Sequence, residues 1–105
     1  MNVLLITARD PREDAGRPAR VASAAAVEGH EVALVLLESA VTLARADHRD
    51  ADALATAVAA GVRVLAEDEA LARHAVVRIA DAVKPTDLGE VVDLLFGWSE
   101  RRAWL

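Results

Sequence analysis

The sequence predicts an α/β protein, a three-layer α/β/α arrangement around a mainly parallel sheet of four to five strands. Three observations lead there. Apolar runs recur without polar alternation, which is how strands covered on both faces read. A helical stretch separates each run from the next, the order that builds a parallel sheet with helices on both faces. Two helix-to-strand junctions also repeat one grammar, Glu28-Gly29-His30 and Ala60-Gly61-Val62.

Asn2–Thr7 (NVLLIT) is the first strand, and the polar stretch Ala8–Arg17, with its Pro and Gly, is a loop. Pro18 suits the opening turn of a helix that runs to Glu28, and Gly29 is a left-handed stop. His30–Leu37 (HEVALVLL) is the second strand, completing a βαβ unit whose crossover should be right-handed. A short helix follows over ESAVTLARA, capped by Glu38 or Ser39, then a polar loop through Asp47–Arg49. Asp50 is placed to cap a third helix, in which Ala51, Leu54, Ala55 and Val58 share one face. Gly61 ends it, and Val62–Ala66 is the third strand.

Further on, Asp68 is read as the cap of a helix from Glu69 to about Ala75, and Val76–Val83 holds a short strand. Asp87 and Glu90 have capping-box spacing. Leu88, Val91, Val92 and Leu95 then form one apolar helical face, with Gly97 as its stop. Arg102–Leu105 is a last edge strand. Val3–Ile6, Val32–Leu37 and Val62–Leu65 are expected at the sheet centre.

The length of 105 residues suits a single domain spanning 1–105. Of the 57 hydrophobic residues 24 are alanine, so the large apolar groups come mainly from 14 valines and 13 leucines. The aromatic residues Phe96, Trp98 and Trp104 all fall within the last ten positions, which marks that segment as a closing element or a contact surface.

Net charge is −5, and the nearest basic cluster, Arg9, Arg12, Arg17 and Arg20, is interrupted by Asp10, Glu13 and Asp14. Nucleic acid needs a continuous positive stripe, so it is not an expected partner. The apolar runs fall far short of the roughly 20 residues that span a bilayer. With no signal-peptide pattern at the N-terminus, a cytoplasmic protein without a membrane partner is expected. Zero cysteines exclude disulfides, thiolate metal sites and persulfide chemistry.

Three stretches resemble the DsrE/DsrF/DsrH superfamily of sulfur-relay proteins. Gly29-His30-Glu31-Val32 leads through an apolar strand into Leu37-Glu38-Ser39-Ala40-Val41. Gly61-Val62-Arg63-Val64-Leu65-Ala66 runs on through Glu67-Asp68-Glu69-Ala70-Leu71-Ala72-Arg73. Val91-Val92-Asp93-Leu94-Leu95 is similar to the family's ending, with Trp104 near the terminus. The resemblance places the family's sulfur-accepting cysteine at the end of the strand matching Val62–Ala66. Here that strand continues into Glu67 and Asp68, and His74 stands where a Gly usually follows the Arg. What the resemblance implies is a cysteine-less subunit with a structural role, in a homo-oligomer such as a trimer or hexamer, beside a cysteine-bearing sulfur-relay partner.

Open parallel sheets bind ligands beyond the carboxyl ends of their strands. Those ends give the ligand-binding candidates: Arg9 and Arg12, with Arg17, for an anion, and Glu38, Glu67 and Asp68 as acceptors. The simpler reading has Glu38 and Asp68 capping helices. No catalytic residue and no cofactor is expected. His30, His48 and His74 lack metal-ligand spacing. A relay between Glu67 and His74 competes with a solvated helix end, where a cationic His is favourable. The loop before Pro18 has one glycine and cannot cradle a phosphate, and no GxSxG elbow occurs. Phe96, Trp98 and Trp104 are the interface candidates, against the alternative that the Trp rings cap the sheet.

The expected function is therefore that of a non-catalytic subunit acting through assembly. The alternative is a ligand-binding protein or enzyme using the acidic and arginine residues at the strand ends.

Overall fold

The uninterrupted apolar runs do form neighbouring strands. A computed structural model describes residues 1–10 and 12–105, so Pro11 of the expected loop Ala8–Arg17 lies outside the described residues. The strands are β1 (Asn2–Thr7), β2 (Glu31–Leu36), β3 (Arg63–Glu67), β4 (Val83–Thr86) and β5 (Arg101–Trp104). They form one sheet in the order β4-β3-β2-β1-β5, and every pairing is parallel. The helices are α1 (Arg17–Val27), α2 (Ala51–Ala59), α3 (Asp68–Arg73) and α4 (Leu88–Asp93). A 3-10 helix spans Glu38–Ala44, and a π-helical segment, Leu94–Trp98, continues α4.

Strand order and handedness together generate the layers. From β1 to β4 each crossover steps the same way across the sheet, so right-handed connections stack their helices on one face. The step from β4 to β5 jumps back past β1, and the same rule sends α4 to the opposite face. The packing follows suit. Val3, Leu5, Val32, Leu34, Leu36, Val64 and Ala66 pack with Ala19 and Ala22 of α1, Leu54 and Ala57 of α2, and Ala70 and Leu71 of α3. On the other face Leu4, Ile6, Ala33, Val35 and Leu65 meet Val91 and Leu94, with Leu95 and Trp98 at the margin. Alanine-rich helix faces let α1 and α2 come close to the sheet.

The repeated Gly junctions have one physical cause. Gly29 (φ 97°) and Gly61 (φ 100°) adopt backbone conformations that side chains disfavour. Each closes a Schellman motif: His30 N donates to Ala25 O and Gly29 N to Ala26 O, while Val62 N donates to Ala57 O and Gly61 N to Val58 O. The chain thereby satisfies the last carbonyls of each helix as it turns into the next strand.

Several local expectations change. The short strand expected within Val76–Val83 begins only at Val83. Before it, Ile79 makes an isolated antiparallel bridge with Arg45. Gly97 is not a helix stop, since it sits inside the π-helical segment. The apolar face expected from Leu88, Val91, Val92 and Leu95 is divided. Val91 and Leu94 are buried, whereas Leu88 and Val92 are exposed. Val91, Leu94, Leu95 and Trp98, spaced i, i+3, i+4 and i+7, make the inward stripe instead.

Candidate functional site

The carboxyl ends of β1, β2 and β3 meet at one rim of the sheet. The first two are tied directly: Leu37 N donates to Thr7 O at 2.9 Å, Asp10 N to Ser39 Oγ at 3.0 Å, and Thr42 Oγ1 to Asp10 Oδ2 at 3.2 Å. The third joins through α3, where Arg73 pairs with Glu38 at 3.5 Å. Both of those side chains are at least half exposed, so the pair adds little stability. Glu38 itself has φ 47°, in the left-handed region that a non-glycine residue enters at a cost.

Glu67 is the buried acidic residue of this rim, with 3% of its surface exposed. The β3 strand delivers it to the start of α3, where its Oε2 accepts a hydrogen bond from Ala70 N at 2.9 Å. It therefore does the capping that was expected of Asp68, which is the first residue of α3 and is exposed. Glu38 makes no cap hydrogen bond either; Leu37 occupies the position before the 3-10 helix. Glu67 can cap because a β-region backbone at the strand end aims its carboxylate back along the helix (φ −67°, ψ 127°). Thr86 lies beside it in the β3–β4 register, and its buried Oγ1 has no hydrogen-bond partner.

Among the described residues no ion pair joins the arginine candidates to these acids. Arg9 and Arg12 are exposed, and neither side chain forms an ion pair among the described residues; the Arg12 carbonyl accepts from Arg49 Nη2 at 3.1 Å. His74 is the C-cap of α3, and none of the described hydrogen bonds links it to Glu67. No group of three or more His, Cys, Asp or Glu residues that could hold a metal occurs among the described residues. With no thiol in the chain, the rim offers acceptors but no sulfur nucleophile.

The aromatic candidates divide. Trp98 packs at the edge of the second core, with the Arg63 guanidinium 4.9 Å from its ring centroid. Its ring therefore lies against the margin of that core, while the expectation that both Trp rings cap the sheet does not extend to Trp104. Phe96 and Trp104 remain exposed, at 76% and 65%. Trp104 pairs with Ile6 across β1–β5, which places it on the α4 face. Leu88 and Val92 of α4 join Phe96 as an exposed apolar row spaced i, i+4 and i+8. That spacing was present in the sequence, but the apolar residues of Leu88–Trp98 cover more than half of the helix circumference, so periodicity does not declare which part of it is inward.

No family model matches the chain, and no similar sequence is found among curated proteins. Solved structures do match. The ychN protein from E. coli superposes with a TM-score of 0.82 at 16% identity, over 100% of both chains. MTH1491 from Methanobacterium thermoautotrophicum, described as a protein of unknown function, gives 0.79 at 17% identity, over 99% of this chain and 98% of that one. BT1422 from Bacteroides thetaiotaomicron, described as a conserved protein of unknown function, gives 0.78 at 13% identity, over 99% and 94%. At these identities the likeness establishes a shared fold and nothing finer.

Proposed function

We propose that the chain is a non-catalytic DsrE-like subunit that acts through assembly with copies of itself, using the α4 face as the contact surface. The observation that carries this is the exposed apolar row Leu88, Val92 and Phe96, with Trp104 on the same side of the sheet. Large aromatic groups presented to water are what an interface core supplies and what isolated chains usually avoid. The missing thiol gives the subunit its structural character, and a cysteine-bearing sulfur-relay protein is the further partner this reading adds.

Sedimentation of the wild-type chain and of Phe96→Glu tests it. Phe96 is exposed, so the substitution should leave the circular dichroism spectrum unchanged while lowering the oligomeric mass. A wild-type chain that sediments at monomer mass at high micromolar concentration overturns the proposal.

A second reading rests on Thr86. A buried hydroxyl without a partner, beside a carboxylate with one oxygen engaged, is a place where a small polar ligand would satisfy both. It predicts that Thr86→Val abolishes ligand binding at the strand ends without loss of stability.

A further inference from the structure

We propose a site for a small organic carboxylate, a monoanion with an apolar body, on the sheet face opposite α4. It lies in two cavities that share Arg78 in their walls. The first, of about 440 Å³, is lined by Arg45, His48, Ala75 and Arg78 together with Asp47 and Val77. The second, of about 560 Å³, has walls that include Leu54, Ala55 and Ile79.

The cationic end is built by the backbone. Ala46 N donates to Arg78 O at 2.8 Å and Ala80 N to Ala44 O at 2.8 Å, so the bridge between Arg45 and Ile79 holds two arginines at one opening. Neither arginine has a carboxylate within ion-pair distance among the described residues. Arg45 makes only a long contact, Nη2 to His74 O at 3.4 Å. Asp50 N donates to His48 Nδ1 at 3.0 Å, which makes Nδ1 an acceptor and leaves the proton of a neutral ring on Nε2 as a further donor. Ala75, in the same wall, holds φ 53°, a left-handed conformation for a residue with a side chain.

The second cavity sets the rest of the ligand. Its wall continues the core, since Leu54 is buried there and Ile79 packs against the same cluster. Carboxylates also line the two spaces, Asp47 in the first and Asp52 and Asp81 in the second. Their charge opposes a dianion more than a monoanion, which leaves a single carboxylate, whose two oxygens suit guanidinium groups, as the anion the arginines would hold. An apolar chain then extends along Leu54 and Ile79.

The test is isothermal titration calorimetry of the full chain with acetate, butanoate, hexanoate and octanoate, and with inorganic phosphate as the anion lacking an apolar body. We expect one saturable site, with affinity rising by up to roughly fourfold for each methylene that becomes buried. Arg45→Gln and Arg78→Gln should each weaken octanoate by about tenfold, the scale of one charge-assisted hydrogen bond. Both arginines are exposed, so circular dichroism should show both variants folded. Ala55→Glu, on the exposed side of α2, adds a repelling carboxylate and should also weaken octanoate. The proposal is overturned by affinity that is flat along the series, by phosphate binding as tightly as octanoate, by no saturable binding, or by octanoate binding that the variants leave unchanged.

Discussion

Replacing Glu67 separates its structural duty from any chemistry at the strand ends. In Glu67→Ala the amide of Ala70 loses its acceptor inside a residue that is fully buried. Loss of an N-cap alone costs about 1 kcal/mol, with a range of roughly 0.5–2. A buried N–H left without a partner costs about 1–3 kcal/mol. These describe one interaction seen from its two ends, so they are not added, and about 2 kcal/mol is expected. For a domain near this size each kcal/mol moves the melting temperature by about 4–8 °C, which gives a drop of roughly 10 °C. Glu67→Gln keeps a carbonyl oxygen to accept from Ala70, so its loss should stay below about 1 kcal/mol. Thermal and urea unfolding followed by circular dichroism measure both. A Gln variant as damaged as the Ala variant, or an Ala variant melting with wild type, would refute the assignment of Glu67 as the cap of α3.

Leu5→Asp and Val35→Asp each place a charge among fully packed side chains, one on each face of the sheet, and neither should yield folded protein. Soluble expression with a native circular dichroism spectrum would contradict the face assignments. Incubation with a persulfide donor should add no sulfur atom to the intact mass, since no thiolate is available to attack the donor; a covalent adduct would show another nucleophile. Deleting Trp98–Leu105 should unfold the chain rather than merely dissociate it. That segment supplies β5, the Trp98 edge of the second core, and the bonds of Glu100 to Asn2 at 2.8 and 2.9 Å. A folded deletion variant would show the segment to be dispensable.

The sheet was legible because burial on both faces leaves a plain signature. Asn2–Thr7 matches its strand residue for residue, Glu31–Leu36 falls within the strand read over His30–Leu37, and Arg63–Glu67 begins one residue after and ends one residue beyond the strand read over Val62–Ala66. The glycine stops were legible for a related reason, since Gly29 and Gly61 answer a demand of the backbone that few other residues meet. The second half was harder to read. Asp68 and Glu67 are adjacent acids, and the cap went to the residue whose strand-end backbone aims it at Ala70, which composition does not encode. At Leu88–Trp98 most positions are apolar, so periodicity could not choose the inward face. The π-helical segment also alters the spacing there. The arginines Arg45 and Arg78 are 33 positions apart, and only an isolated bridge joins their neighbourhoods. No local pattern would have paired them.

The two faces of the sheet also explain why Trp104 stands out. Five strands spaced about 4.8 Å apart span roughly 20 Å, whereas one helix with its side chains is about 10–12 Å across. The helix α4 with its π-helical continuation can therefore cover only the middle of its face. It sits over Leu4, Ile6, Ala33, Val35 and Leu65, the apolar residues of β1, β2 and β3. Toward the margins the same face carries groups suited to water: Arg63 on β3, Lys84 on β4 and Arg102 on β5 are all exposed. Arg102 also has a structural task, donating from Nε to Leu95 O at 2.9 Å. Charged side chains near an edge are how sheets discourage pairing with other chains. Trp104 breaks that pattern. It lies on an edge strand, on the thinly covered face, and 65% of its surface stays exposed. Folding of the single chain covers only the smaller part of that indole, and the proposed assembly is the reading that gives the rest a partner.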